Sequence, residues 1–146
     1  MSEKIILKGR VRVEGVAEGE ALVSQESLVW SHGVDPATGT IDDVRVKVCG
    51  SCVKDKVLIY PLGKGSTSGA TWMLEAVRYG NGPAAILNRE TELIIAAGSI
   101  LSGAMYGKEM PVMDGFDRDP LSVIETGDWV RVDGINGIVE VTKKED

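Results

Sequence analysis

A short segment rich in glycine and hydroxyl side chains has the composition of a catalytic or anion-binding loop. It reads Gly63-Lys64-Gly65-Ser66-Thr67-Ser68-Gly69 and lies between a predicted strand at 56–60 and a predicted helix at 70–79. A helix N-terminus presents free backbone N–H groups and a partial positive charge, and glycines let a ligand approach the backbone. Three hydroxyls and the Lys64 ammonium add further donors. The segment therefore suits a carboxylate, a phosphate or a developing oxyanion.

Two other interpretations of this loop need to be weighed. The P-loop of nucleotide hydrolases has the pattern GxxxxGK[ST], whereas here Lys64 precedes Gly65, so ATP hydrolysis is not predicted. A single Ser or Thr hydroxyl is enough to cap a helix, so the loop could also be a cap followed by a turn. Three hydroxyls flanked by three glycines exceed what a cap requires, which favours a functional loop.

A second candidate segment runs from Trp30 to Gly39 and contains His32, the one histidine of the chain. No nucleophile elbow or acid partner at triad spacing accompanies this histidine, so a structural role is favoured over a catalytic one. The stretch Asp35-Pro36-Ala37-Thr38-Gly39 is first of all a turn, and a ligand contact there is the alternative.

Two further groups of residues could bind a metal. The pair Cys49-Gly50-Ser51-Cys52 could be half a zinc site, a redox pair or a local disulfide, but zinc needs about four ligands and only His32 could join it. Structural cysteines, as thiols or a local disulfide, are favoured. The acidic stretch 114–120 carries oxygen ligands for a hard cation without the spacing of an EF-hand, which favours a solvated surface loop. We therefore assign no metal ligand in this chain.

The composition is that of an ordinary globular domain. The chain has 146 residues, 43% hydrophobic and 26% charged, which predicts one domain over 1–146 with an ordered core at about 5–141. The net charge is −6 and no cluster of Lys and Arg occurs, so a nucleic-acid partner is not expected. No apolar run could span a bilayer, and the N-terminus lacks the apolar segment of a signal peptide. We expect a cytoplasmic protein without a membrane partner.

Hydrophobic periodicity predicts many strands and few helices. The helix at 70–79 is the clearest, 92–96 is an apolar segment that could form a short helix plus a strand, and 99–106 could form one further helical turn. The long segment 25–40 is expected to be an ordered loop. Strands are predicted at 5–13, 19–24, 43–48, 56–60, 84–87 and 111–113, with a closing hairpin at 128–133 and 137–141. This pattern indicates a β-rich α/β or barrel-like domain with a few helices packed on it.

Several segments occur in an order that is found in a known family. They are ALVS at 21–24, GVDPATG at 33–39, KVL at 56–58 leading into the 63–69 loop, GPAAI at 82–86 and PV at 111–112. This series resembles the swivel-domain (small) subunit of the aconitase X family across nearly the whole chain. The resemblance implies a swivelling β/β/α barrel that pairs with a large catalytic subunit. It also implies that the large subunit carries an iron–sulfur cluster on its own cysteines.

The resemblance further implies a dehydratase in which the swivel domain supplies a serine as the catalytic base. That serine maps to Ser66, and the other loop residues, Gly63, Lys64, Gly65, Thr67 and Ser68, would bind the small anionic substrate. A free serine is too weakly acidic to act as a base, so N–H groups, the helix dipole and Lys64 would have to stabilise its alkoxide. The cluster iron would assist the leaving hydroxyl. Two cysteines are too few to hold a cluster here, which agrees with its location on the partner.

Two substrates occur in the family that this sequence resembles. Archaeal members with separate subunits dehydrate (R)-5-phosphomevalonate to trans-anhydromevalonate 5-phosphate in a modified mevalonate pathway of isoprenoid biosynthesis, and bacterial members dehydrate cis-3-hydroxy-L-proline. Two features favour the archaeal type. The chain is free-standing rather than fused, and it has Lys64 at a position where Arg is more usual in the hydroxyproline enzymes. The Cys49-Gly50-Ser51-Cys52 segment departs from the family pattern, in which a His/Gly/Ser segment is expected before the next strand. The remaining alternative is a non-catalytic subunit that binds an anion or has a structural role.

Overall fold

The structure, a computed structural model, describes residues 3–62 and 68–145. Within those residues the chain forms eight strands and three helices. The strands are β1 (Lys4–Lys8), β2 (Arg10–Val13), β3 (Val16–Val23), β4 (Val57–Tyr60), β5 (Ala85–Asn88), β6 (Val112–Asp114), β7 (Trp129–Asp133) and β8 (Ile138–Thr142). The helices are α1 (Gly69–Arg78), α2 (Leu93–Tyr106) and α3 (Pro120–Val123).

All eight strands belong to one mixed sheet in the order β1-β8-β7-β3-β4-β5-β6-β2. Strands β3 to β6 are parallel and the remaining pairs are antiparallel. The two outermost strands of this order, β1 and β2, are separated in the chain by Gly9 alone, so the sheet closes into a barrel. A Cβ atom at Gly9 would lie 2.6 Å from the Phe116 ring, which explains the glycine at this corner. The strand predicted at 5–13 is thus divided in two, and the predicted β-rich barrel is confirmed.

The central parallel strands are buried on both faces. Val57 and Ile59 of β4 belong to the apolar cluster inside the barrel, while Leu58 and Tyr60 belong to a second cluster outside it. That outer cluster is covered by the helices and by the segment between β3 and β4, which contribute Leu28, Trp30, Val34, Met73, Ala76 and Ile95. A continuous apolar run such as the VLIY of β4 is typical of a strand covered on both sides.

Helices α1 and α2 pack closely against each other on the outside of the barrel. A Cβ atom at Gly98 of α2 would lie 3.0 Å from the Met73 sulfur and 3.3 Å from the Ala70 Cα atom, so a small residue is required at this crossing. Each helix follows a parallel strand, α1 after β4 and α2 after β5. Both helices therefore begin near the carboxyl edge of the parallel strands.

The strand predicted at 43–48 is wrong. This segment forms successive turns in which the Asp43 carboxylate accepts hydrogen bonds from the backbone N–H (3.0 Å) and the guanidinium (2.8 Å) of Arg45. Val46 is buried and Val48 packs partly buried against the same cluster, while Val44 is 86% exposed, so the three valines do not line one face as they would in a strand. An aspartate that hydrogen-bonds to its own backbone two residues on favours a turn over a strand ladder.

Residues 93–106 form one continuous helix, so the separate short elements predicted there are wrong. Helix α2 ends at Gly107, whose φ of 66° is the left-handed conformation that glycine adopts readily. The helix was not recognised because its sequence, LIIAAGSILSGAMY, has no polar face to reveal a helical period. Among the described residues, no helix has both the length and the apolar character that crossing a bilayer requires.

The long segment 25–40 is ordered, as predicted. Leu28, Trp30 and Val34 are buried against the outer face of the sheet, and a bridge joins Val34 to Ile41. Its apolar side chains therefore cover part of the outer cluster, although the segment has no helix or strand of its own.

Candidate functional site

The candidate loop lies at the carboxyl edge of the parallel strands, where it connects β4 to α1. In open α/β sheets, this edge is where ligands usually bind. Most of the predicted site residues lie outside the described residues, namely Gly63, Lys64, Gly65, Ser66 and Thr67. The contacts of Tyr60 and Pro61 on one side, and of Ser68 on the other, define the surroundings of the two ends of the loop.

The end of the loop is held against the second candidate segment. The Ser68 hydroxyl oxygen lies 2.7 Å from that of Ser31, which joins two segments that the sequence analysis had identified separately. Ser68 occupies the N-cap position of α1, but its side chain makes no capping hydrogen bond. The interpretation of the loop hydroxyls as helix caps is therefore wrong for Ser68.

The start of the loop is held by the connection between β5 and α2. The Asn88 side-chain amide donates to the Tyr60 carbonyl oxygen at 3.0 Å, and the Arg89 backbone N–H donates to the Pro61 carbonyl oxygen at 3.1 Å. Asn88 is only 1% exposed, and its own amide oxygen accepts a hydrogen bond of 3.4 Å from the Thr91 hydroxyl. Asn88 is not among the site residues predicted from the sequence. The sequence feature that points to Asn88 is its position as a polar residue at the end of β5, an otherwise apolar buried strand.

A buried aromatic pair lies beneath the site. The Trp30 indole N–H donates to the Tyr60 hydroxyl at 3.4 Å, and both side chains are almost completely buried. Burial raises the pKa of Tyr60 to about 12, although the hydrogen bonds to Trp30 and Asn88 act in the opposite direction. Tyr60 is therefore a neutral phenol at physiological pH and helps to position the 30–33 segment.

His32 lies beside the first helix. Its ring centroid is 4.6 Å from that of Trp72 on α1, with the two planes inclined by 57°. The His32 backbone has a φ of 61°, which is unusual for a residue other than glycine, and such conformations cluster at functional sites. The next residue must be glycine, because a Cβ atom at Gly33 would lie 1.9 Å from the Val29 carbonyl oxygen. A tightly constrained turn thus brings His32 and Ser31 to the N-terminal part of α1.

The GVDPATG segment forms the predicted turn. The Asp35 carboxylate accepts from the Ala37 N–H at 3.0 Å, and the Gly39 N–H donates to the Asp35 carbonyl oxygen at 2.7 Å. This turn also forms one wall of an open groove of about 320 Å³, whose other wall is α1. The lining residues are Asp35, Pro36, Ala37, Thr71, Trp72, Glu75 and Tyr79.

The first residue of the acidic stretch 114–120 stabilises the fold. The prediction of a solvated surface loop is therefore wrong for Asp114, which is buried. The Asp114 side chain is fully buried and accepts hydrogen bonds from Arg10 (2.9 Å), Arg12 (3.0 Å) and the Thr91 N–H (2.8 Å). Burial opposes ionisation of Asp114, but these hydrogen bonds outweigh it and hold its pKa below the ordinary value. Asp119 pairs with Arg89 at 2.8 Å and caps α3.

The cysteine pair forms no disulfide in the structure. Cys49 and Cys52 are both exposed thiols, and the Cys52 sulfur lies 3.5 Å from the Thr38 carbonyl oxygen. No group of three or more His, Cys, Asp or Glu side chains suited to a metal ion occurs within residues 3–62 and 68–145.

Comparison with known proteins agrees with this geometry. The family model described as the aconitase X swivel domain matches residues 6–141. The chain belongs to the aconitase X swivel-domain family. The resemblance found in the sequence is therefore confirmed, and it extends over the candidate loop and the segments that hold its two ends.

Archaeal relatives of this swivel domain match along nearly their whole length. The phosphomevalonate dehydratase small subunit of Pyrococcus furiosus is 41% identical over 140 residues, covering 96% of this chain and 98% of the relative. The protein of the same name from Methanosarcina acetivorans is 40% identical over 139 residues, covering 95% and 92%. The crystal structure of Thermococcus kodakaraensis aconitase X (holo-form) superposes with a TM-score of 0.85 at 39% identity, covering 95% of this chain and 99% of that one.

Proposed function

We propose that this chain is the small subunit of a hydro-lyase that dehydrates (R)-5-phosphomevalonate to trans-anhydromevalonate 5-phosphate. The observation that carries the proposal is the near-complete match, at about 40% identity, to archaeal proteins named phosphomevalonate dehydratase small subunit. That name implies a larger partner subunit. The chain would therefore act only as part of a complex, in the biosynthesis of isoprenoids.

In this proposal the candidate loop supplies the base. The Ser66 alkoxide removes a proton from the carbon next to the substrate carboxylate, the resulting electron pair forms the new double bond, and the hydroxyl leaves from the neighbouring carbon. Backbone N–H groups at the start of α1 and the Lys64 ammonium would stabilise the negative charge on Ser66 before the transfer. Lys64 and the remaining loop donors, Gly63, Gly65, Thr67 and Ser68, would hold the anionic groups of the substrate.

The iron–sulfur cluster is proposed for the larger partner subunit. Clusters of this kind are held mainly by cysteine thiolates, three or four for each cluster, and Cys49 and Cys52 are the two cysteines of this chain. The residues of this chain therefore do not fit the cluster. On the partner, its iron would act as a Lewis acid for the hydroxyl that leaves.

The substrate can be tested with the reconstituted complex. This chain would be co-produced with the larger subunit from the same organism, purified without oxygen, and incubated with (R)-5-phosphomevalonate or with cis-3-hydroxy-L-proline. Loss of one water would be followed by mass spectrometry. We expect phosphomevalonate to be preferred in kcat/KM by roughly 10²-fold or more, because a site that recognises a phosphate strongly rejects a compound that lacks it. Preference for hydroxyproline would refute the assignment, and full activity without the partner would refute the subunit role.

Replacing Asn88 with alanine should lower kcat by about 10-fold to 100-fold with a smaller change in KM. The Asn88 amide fixes the Tyr60 carbonyl oxygen at the start of the loop, and a small displacement of a catalytic group is costly in rate. The measurement is steady-state kinetics of the assembled enzyme. Asn136→Ala is the matched control, because the Asn136 amide bonds to Asp133 in an exposed hairpin. Equal kinetics for the two variants would show that Asn88 does not position the loop.

A further inference from the structure

The outward face of α2 is entirely apolar. None of the 14 residues of this helix is charged. Six of its eight exposed positions follow helical spacing and form one continuous stripe, which we call the α2 stripe: Leu93, Ala97, Ile100, Leu101, Ala104 and Met105. The exposed fractions are large for apolar side chains, at 86% for Leu93, 57% for Ile100 and 58% for Met105.

The neighbouring helix shows what an ordinary solvent-facing helix looks like in this protein. On α1 the buried residues include Met73 and Ala76, while the side away from the core carries an ion pair between Glu75 and Arg78 at 2.9 Å. A helix that is apolar on every side is normally buried on every side. Contiguous exposed apolar patches on soluble proteins mark interaction surfaces. Helix α2 therefore has the character of a helix that is covered in the working form of the protein.

The α2 stripe starts at the edge of the candidate site. Helix α2 follows β5, so its first residues lie at the carboxyl edge where the candidate loop connects β4 to α1. Ile94 of α2 lies only 3.6 Å from the position that a Cβ atom would occupy at Gly69, the first residue of α1. From this contact the stripe runs the length of α2 away from the site.

We infer that the α2 stripe is the docking surface for the larger partner subunit, which would present a complementary apolar surface to it. The inference rests on the proposed function, because a partner that completes the active site has to reach the carboxyl edge of the strands. The stripe is continuous with that edge, so one partner can cover both. A second copy of this chain would bring only another small subunit to the stripe and would leave the site without its larger partner.

The test is recovery of the larger subunit with affinity-tagged variants of this chain. In Ile100→Glu and Met105→Glu, a carboxylate would have to be buried without a partner, so recovery should fall by about tenfold or more. Ile135→Glu is the matched control, because Ile135 is 63% exposed on the hairpin between β7 and β8, and recovery should be unchanged. Circular dichroism and the thermal midpoint of each isolated variant would establish that it is folded.

Each outcome decides the question. Equal recovery with all three variants would overturn the inference. If light scattering showed that Ile100→Glu abolishes a dimer of the isolated chain while recovery of the larger subunit is unchanged, the stripe would belong to a second copy and the inference would also fail. Recovery does not depend on turnover. A complex that forms through the stripe but does not dehydrate phosphomevalonate would leave the docking surface intact and refute only the proposed function.

Discussion

Replacing Ser66 with alanine should lower kcat of the assembled dehydratase by about 10³-fold or more while the complex still forms. Alanine cannot accept the substrate proton, and removing a positioned acid or base group typically costs 10²-fold to 10⁴-fold in rate. The loop N–H groups and the Lys64 ammonium remain in this variant, so KM should change much less than kcat. Steady-state kinetics on the co-purified complex would measure both constants.

The other hydroxyls of the chain provide the controls for Ser66. Ser122→Ala should be as active as the unchanged protein, because Ser122 is an exposed residue of α3 that contacts Asp119. Thr67→Val and Ser68→Ala should lose less activity than Ser66→Ala, with the Ser68 variant affected through its contact with Ser31. Near-normal turnover in Ser66→Ala would reject the base assignment, and a larger loss in either neighbour would transfer it there.

Replacing Asp114 with alanine should reduce the free energy of unfolding by about 2–3 kcal/mol. The variant would leave the guanidinium groups of Arg10 and Arg12, and the partly buried N–H of Thr91, without their shared acceptor. Both arginines are partly exposed and can turn to water, so the loss should stay below that of a fully buried ion pair. Urea unfolding at neutral pH would measure the difference.

Acid should remove most of this difference. The pKa of Asp114 is lowered in the folded protein, so its contribution is complete above the unfolded-state pKa of about 3.9 and is lost as the pH falls through the folded-state value. The gap between Asp114→Ala and the unchanged protein should therefore narrow below about pH 4. Glu140→Ala is the surface control, because its pair with Lys4 is exposed and should be worth less than about 1 kcal/mol. A gap that is independent of pH would contradict the ion-pair explanation.

The sequence predicts β4, β5, α1 and the closing hairpin of β7 and β8 well, and it predicts α2 and the segment 43–48 poorly. Strands β4 and β5 are short apolar runs bounded by turn residues, and α1 has a clear apolar face, so local pattern is sufficient for them. Helix α2 is predicted as separate short elements because it has no polar face. The turns at 43–48 are predicted as a strand because charged residues alternate there with valine. In both segments the pattern of apolar and polar residues in the sequence does not match the period of the secondary structure that forms.

The candidate site was predicted in parts. The sequence identified the loop and the segment around His32, but nothing local indicates that Ser31 and Ser68, 37 positions apart, would touch. The same limit applies to Asn88, whose amide reaches back 28 positions to the Tyr60 carbonyl oxygen. Contacts between distant segments follow from the order of strands in the sheet, and that order cannot be predicted from the sequence of any one segment.

Closure of the barrel also determines when the protein can fold. Within the described residues β1 pairs with β8, from Lys4 opposite Thr142 to Lys8 opposite Ile138, and β8 follows the other seven strands in the chain. Contacts between residues so far apart in the chain are slow to form, because the whole loop between them must first be ordered. The nascent chain therefore holds β1 without this neighbour until β8 has been synthesised. Removing β8 would expose two unpaired strand edges at once, and such edges invite aggregation.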